Sequence, residues 1–157
     1  MTLILNFINV PNHIHPITIR AALETASDLL PEDRREIEEG HGVDPFQYFL
    51  TMGLGASSVY FTAPNGRTAG MAGVSNDGQI WMLCTSQVRK YPTTFAREAK
   101  RFVEGRSDKL LWNIVDKRNK LHLKLLKFLG FKFLREIKHG PNQLPFIEFC
   151  YVHGKSQ

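Results

Sequence analysis

Val115-Asp116-Lys117-Arg118-Asn119 is followed, eleven residues after the Asn, by Gly130-Phe131, and this stretch concentrates the chemistry of the chain. An Asn in that position can accept from the free N–H groups that open a helix. Around it, residues 109–138 hold nine Lys or Arg against only Asp116 and Glu136. A row such as Lys117, Arg118, Lys120, Lys124 and Lys127 can neutralise phosphates of a nucleotide or a nucleic acid, and it reads equally as a solvated helix face. No exposed aromatics interleave it, so base-specific reading is not expected, and nonspecific nucleic-acid contact through 109–138 stays open. His13 and His15 alternate on an extended segment, but a metal would need a third ligand that the spacing does not supply, so a surface loop is favoured. Trp81 and Trp112 read as core or pocket wall rather than base-stacking platforms. Cys84 and Cys150 sit in strand-like apolar runs and read as buried free thiols of a reducing compartment.

The elements that position these residues follow from periodicity. Leu3 to Val10 reads as a strand ended by Pro11 and the region of Pro16. Ile17 to Leu30 has helical spacing in Ile19, Ala22, Leu23, Ala26 and Leu30, with Pro31 as its stop. Pro31 to Glu39 is a short, very acidic helix that Gly40-His41-Gly42 breaks. Asp44 caps Pro45 to Met52, where Phe46, Phe49 and Leu50 share a face. The period then changes to two. Ser58 to Ala63, Thr68 to Val74 and Gln79 to Thr85 form a meander through turns at Pro64-Asn65-Gly66 and Asn76-Asp77-Gly78. Gly70 and Gly73 mark a bulge or a close backbone approach. Pro92 to Glu104 is a helix with Phe95, Ala99, Phe102 and Val103 on one stripe, Lys109 to Val115 a buried strand, and Asn119 to Leu129 a helix. Phe131 to Ile137 and Phe146 to Val152 are two last strands around Gly140-Pro141-Asn142.

With 157 residues, 43% apolar and 22% charged, the chain is a single globular domain that buries roughly 70% of its unfolded surface. It divides into residues 1–56 (first strand and acidic helices), 57–86 (antiparallel meander) and 87–157. No run reaches a membrane span, and the apolar start lacks the basic region of an export signal, so no membrane insertion and no secretion are expected. The net charge of +5 hides an asymmetry: residues 1–66 carry −5 and residues 67–157 carry +10. The basic half should attract phosphates or acidic partners.

The element order and the Asn119-to-Gly130-Phe131 spacing resemble the GNAT N-acetyltransferase family over nearly the whole chain. The resemblance implies an α/β (α+β) fold, a mixed central sheet of about six to seven strands flanked by helices, with parallel strands 79–85 and 109–115 splayed at their carboxyl ends. In that family pantetheine enters the gap and its amides pair with the exposed strand edge. Carried over, Met82, Leu83 and Cys84 would line that edge, and Asn119 would reach the pantetheine or its phosphates. Arg89, Lys90, Thr93 and Thr94 would stand at the pyrophosphate, with the N-terminus of the helix from Pro92 aimed at it. The implied cofactor is acetyl-CoA or CoA, if the site works, and otherwise none.

Two departures bear on catalysis. The family's Gln/Arg-x-x-Gly-x-Gly/Ala phosphate loop is replaced by Thr85-Ser86-Gln87-Val88-Arg89-Lys90-Tyr91-Pro92-Thr93, with no glycine, so Arg89 and Lys90 would have to compensate by charge. The Tyr that many members place seven residues after the Asn, as general acid, is Leu126 here. Tyr91, Cys84 and His122 could give a proton, and Glu24, Asp28 or Asp44 could stand near the acceptor, with no spacing that selects among them. A narrower resemblance, in Gln79-Ile80-Trp81-Met82-Leu83-Cys84-Thr85-Ser86 and Leu111-Trp112-Asn113-Ile114-Val115, is to GNAT-like internal virion proteins of short-tailed bacteriophages, over residues 70–152. It implies a particle-assembly protein with little or no catalysis, found in the virion or the host cytoplasm among other virion proteins. The alternative is an acetyl-CoA-dependent N-acyltransferase acting on a small amine or a protein amino group.

Overall fold

A computed structural model describes residues 12–52, 55 and 57–154; the strand expected at 3–10 lies outside them. The chain runs β1 (Ile14–Pro16), α1 (Ile19–Ser27), α2 (Pro31–Arg35), a π-helical turn (Glu36–His41), α3 (Pro45–Met52), β2 (Val59–Thr62), β3 (Thr68–Val74) and β4 (Ile80–Cys84). It continues with α4 (Gln87–Lys90), α5 (Pro92–Glu104), β5 (Leu110–Asp116), α6 (Lys120–Leu129), β6 (Lys132–His139) and β7 (Leu144–Val152). Among the described residues no helix is long and apolar enough to cross a membrane.

Among the described residues the strands form two antiparallel sheets, β1-β2-β3-β4 and β5-β7-β6, joined by one parallel bridge between Gln79 and Trp112. That bridge sits at the start of both β4 and β5, so the two strands touch at one end and splay towards Cys84 and Asp116. The expected splayed pair is therefore present. The expected single mixed sheet resolves into two half-sheets hinged at Gln79.

Side chains alternate across β4 as a period of two requires. Ile80 and Cys84 join the larger core with Phe61, Phe95, Ala99, Val103, Leu111, Leu126 and Phe149, under α5 and α6. Trp81 and Leu83 face the other way, into a smaller core with Ala22, Ala26, Leu29, Ile37 and Phe49, under α1, the π turn and α3. Both glycines of β3 are close approaches: a Cβ on Gly70 would lie 2.5 Å from the Leu83 carbonyl, and one on Gly73 would lie 2.5 Å from the Trp81 ring. The bulge itself falls between Phe61 and Thr62.

Several expectations shift. The Pro16 region is not a strand end but β1, paired with β2 through Ile14 to Phe61, His15 to Tyr60 and Pro16 to Val59. His13 and His15 both reach Thr62 Oγ1, at 3.3 and 3.2 Å. Helix α1 starts at the Thr18 cap and buries Ala21, Ala22, Thr25 and Ala26, leaving Ile19 and Leu23 exposed. Small residues let it lie close on the sheet, and this outweighs the larger apolar stripe. On α3, Asp44 Oδ2 accepts from Phe46 and Gln47 as a cap, but only Phe49 of the apolar face is buried. Gly40-His41 does not break the acidic helix. The chain widens into the π turn and stops at Gly42, whose φ of 70° favours a glycine C-cap. The loop after β4 contains the unforeseen α4.

Candidate functional site

The gap between β4 and β5 is defined first by its closed end. Trp112 N–H donates to the Gly78 carbonyl at 3.0 Å, and Asn113 Nδ2 donates to the Ile80 carbonyl at 2.6 Å. Beyond that point the strands part, and the groups bridging them come from α2 and the π turn. Leu30 N–H donates to the Cys84 carbonyl at 3.0 Å, and Cys84 N–H donates to Asp33 Oδ2 at 2.8 Å. On the facing strand, Asp116 N–H donates to Glu36 Oε1 at 2.9 Å. Asp33 and Glu36 are three residues apart on a helical path, so both carboxylates leave one face, one towards each strand end.

Asn119 completes the bridge. Its Oδ1 accepts from His122 N–H at 3.3 Å as the cap of α6, while its Nδ2 donates to Asp33 Oδ1 at 3.0 Å and Glu36 Oε1 at 3.3 Å. Asn119 is 1% exposed, so the side chain expected at pantetheine is turned into the protein. His122 Nε2 lies 3.2 Å from Asp33 Oδ1 and 3.6 Å from Cys84 Sγ. What remains of the gap is a cavity of about 50 Å³ bounded by Glu36, Met82, Leu83, Ile114 and His122. An outer groove of about 680 Å³ lies beyond it, walled by His41, Gln47, Tyr48, Trp112 and His139. A third, mostly apolar, groove of about 560 Å³ runs between α5 and α6 past Thr93, Arg97, Lys100 and Lys124.

The other expected site residues scatter. Met82, Leu83 and Cys84 do lie along the gap. Arg89 is ion-paired with Glu32, and Lys90 and Thr93 are exposed beside half-buried Thr94. Tyr91 packs against the core at the junction of α4 and α5. Glu24 accepts from Thr68 Oγ1 at 3.1 Å on the far side of the sheet, and Asp28 holds the Ser86 hydroxyl at 2.6 Å. Leu126, where the family's general acid would stand, is buried in the core. Leu30, Asp33, Glu36 and Asp116 were not anticipated; the signal available was the acidic run at 32–39 facing an excess of basic charge.

Burial pushes the Glu36 carboxyl up to about 7, with Asp33 adding to the rise and His122 opposing it. Burial and the neighbouring His139 hold His41 down to about 4. Burial also opposes charge on His122, but Asp33 and Cys84 outweigh it and place the imidazole well above its ordinary range. Burial pushes the Cys84 thiol up to about 11. On Asp116 the Arg118 guanidinium, 2.8 Å away, overcomes burial and lowers the carboxyl.

These directions set a pH dependence. A carboxyl raised in the fold binds its proton more tightly there than in the unfolded chain, so Glu36 withdraws stability as pH rises from 4.5 towards 7 and beyond. His41, lowered, withdraws stability as pH falls from 6.5 to about 4. Glu36→Gln keeps an oxygen for Asp116 and Asn119 without the buried charge. It is expected to be more stable than the parent by about 2–3 kcal/mol at pH 8 and nearly equal to it at pH 5, measured by urea denaturation.

No protein-family model and no curated protein matches the sequence. Solved structures do match the fold. An acetyltransferase of the GNAT family from Bacillus cereus superposes with a TM-score of 0.65 at 9% identity, over 90% of this chain and 97% of that one. One of the same family from Bacillus anthracis gives 0.64 at 7% identity, over 90% and 95%. Spermidine N-acetyltransferase from Vibrio cholerae, in complex with CoA and spermine, gives 0.60 at 8% identity, over 90% and 95%. At such identities the likeness carries the fold: this is a GNAT-like α/β domain.

At Cys84 the strand edge offers a pantetheine no free backbone group. Both backbone groups of Cys84 on the gap side are taken by Leu30 and Asp33. The inner part of the gap holds about 50 Å³, and the room for a ligand of roughly 300 Å³ or more lies in the outer grooves of about 680 and 560 Å³. The chain's own α1–α2 connection lies where a paired ligand would add to the strand.

Proposed function

We propose that this protein uses a GNAT fold as a structural scaffold in particle assembly, in the manner of the internal virion proteins its sequence resembles, and transfers no acetyl group. One observation carries the absence of transfer: the edge of β4 at Cys84 is capped by Leu30 and Asp33 of the same chain. The glycine-free phosphate loop supports it, since α4 fills that place and Arg89 is spent on Glu32. The assembly role draws on the sequence resemblance over residues 70–152 and on the exposed lysines of α6, β6 and their flanks, which remain available to an acidic partner or to nucleic acid.

The fold neighbours favour a second reading, an acetyl-CoA-dependent N-acyltransferase. Its specific support is the groove between α5 and α6, where Arg97, Lys100 and Lys124 border an apolar floor beside the N-terminus of α5. Residues 29–36 would have to withdraw from the gap for it to operate.

Calorimetric titration with acetyl-CoA at moderate salt, with ADP as control, separates the two. The scaffold reading expects no saturable heat for acetyl-CoA beyond that of ADP at millimolar concentration. Selective saturation, together with acetylation of a polyamine or peptide amine, would overturn it.

A further inference from the structure

The Asp33, Cys84 and His122 side chains come from α2, β4 and α6, and their oxygen, sulfur and nitrogen atoms all lie within 4.8 Å of one another. Hydrogen bonding alone leaves this cluster poorly resolved. Asp33 Oδ1 and Cys84 Sγ both approach the same imidazole nitrogen, Nε2, at 3.2 and 3.6 Å. That nitrogen carries at most one proton, so one N–H faces both the carboxylate and the sulfur, and the thiol proton can serve only one neighbour. Three electron-pair donors converging on one point is the arrangement a cation resolves.

We propose that Asp33, Cys84 and His122 form a binding site for one zinc-class divalent transition metal ion, which pins the splayed strands shut. The set of one thiolate, one imidazole and one carboxylate suits zinc. At zinc bond lengths, tetrahedral angles place nitrogen and oxygen about 3.4 Å apart and nitrogen and sulfur about 3.6 Å apart. The N···O and N···S separations of 3.2 and 3.6 Å match these values, and the O···S pair, which lies within 4.8 Å, closes to about 3.6 Å when the ion binds. The supports of a metal site are also in place: Cys84 N–H holds Asp33 Oδ2 and Asn119 Nδ2 holds Asp33 Oδ1, fixing the carboxylate. Of the three, His122 lines the cavity of about 50 Å³, which has room for a water to serve as the fourth ligand. Metal uptake forms the Zn–S, Zn–N and Zn–O bonds and releases two protons to solvent, one from the Cys84 thiol and one from the His122 imidazolium. The site does not depend on whether the chain transfers acyl groups.

The test uses the full chain without a polyhistidine tag, stripped by chelator and titrated with Co²⁺ and then Zn²⁺. The expected result is one equivalent bound, a thiolate-to-cobalt charge-transfer band, displacement of cobalt by zinc, and a higher Tm with zinc. Cys84→Ser should abolish the band, His122→Gln should weaken zinc binding by more than about 100-fold, and Cys150→Ser should change neither. Absence of the band in the parent chain, its survival in Cys84→Ser, or unchanged zinc affinity in His122→Gln would overturn the proposal. If Cys84→Ser does not fold, the parent chain and His122→Gln decide it alone.

Discussion

Asp33→Ala is expected to destabilise the metal-free protein by about 3–5 kcal/mol, measured by urea denaturation at pH 6. Asp33 is 2% exposed and accepts from three donors on two elements: Cys84 N–H of β4, and Asn119 Nδ2 and His122 Nε2 of α6 and its cap. Alanine leaves the Cys84 N–H without its acceptor, takes the carboxylate from a charged imidazole, and leaves Asn119 Nδ2 only the longer bond to Glu36 Oε1 at 3.3 Å. The loss should depend on pH. His122 is raised in the fold by Asp33, so the stability from that ion pair is complete below 6.5 and fades as pH climbs through the raised value. The penalty of Asp33→Ala should therefore be largest near pH 6 and shrink in alkali. Glu32→Ala removes the neighbouring carboxylate, whose partner Arg89 is half exposed, and should cost less than about 1 kcal/mol. Equal losses in the two variants would mean that Asp33 is only another surface acid.

The closure also uses part of the charge asymmetry of the sequence. The acidic run and the basic half meet inside one molecule: Glu32 with Arg89, Glu39 and Asp116 with Arg118, and Asp33 with His122 and Asn119. A phosphate ligand was the partner expected from the basic excess alone. The fold pairs Arg89 and Arg118 with carboxylates of the acidic run and leaves Lys120, Lys124, Lys127 and Lys132 exposed.

Much of the frame was legible because its signals are local. Pro92 and Gly105 bound α5 as expected, Asn119 and Gly130 bound α6, and Gly66 and Gly78 take the positive φ that their turns require. The registers of β1 and of the α1–α2 connection were not legible, because they depend on partners 40 to 90 positions away. Nothing near Leu30 or Asp33 says that their N–H and carboxylate will meet Cys84. The π turn was hidden for a related reason. Gly40 reads as a helix breaker in isolation, yet the absence of its Cβ serves contact with the Phe146 ring, 2.5 Å from where that carbon would sit.

That contact leads to the second large effect, Gly140→Ala, expected to cost about 2–5 kcal/mol. Gly140 turns β6 into β7 at φ 77°, a conformation that already disfavours a side chain. A Cβ there would fall 1.8 Å from the Gly40 carbonyl oxygen, a backbone atom that cannot swing aside. The β6–β7 tip would have to leave the π turn. With it would go the contact of Gly42 with Pro141, the 3.0 Å bond from Asn142 Nδ2 to the Glu39 carbonyl and the 3.0 Å contact between His41 and His139. Gly66→Ala is the matched control. Gly66 has φ 83° with nothing within 4 Å of the added carbon, so only the backbone strain of about 1–2 kcal/mol remains. Amide hydrogen exchange distinguishes undocking from general loss of stability: in Gly140→Ala, protection should fall first at residues 36–42 and 139–144, while β3 and β4 keep theirs. A uniform loss across the chain, or a cost no greater than that of Gly66→Ala, would show that the two glycines do not hold the π turn to the strand tip. The placement of Glu36 over β5 would then need another cause.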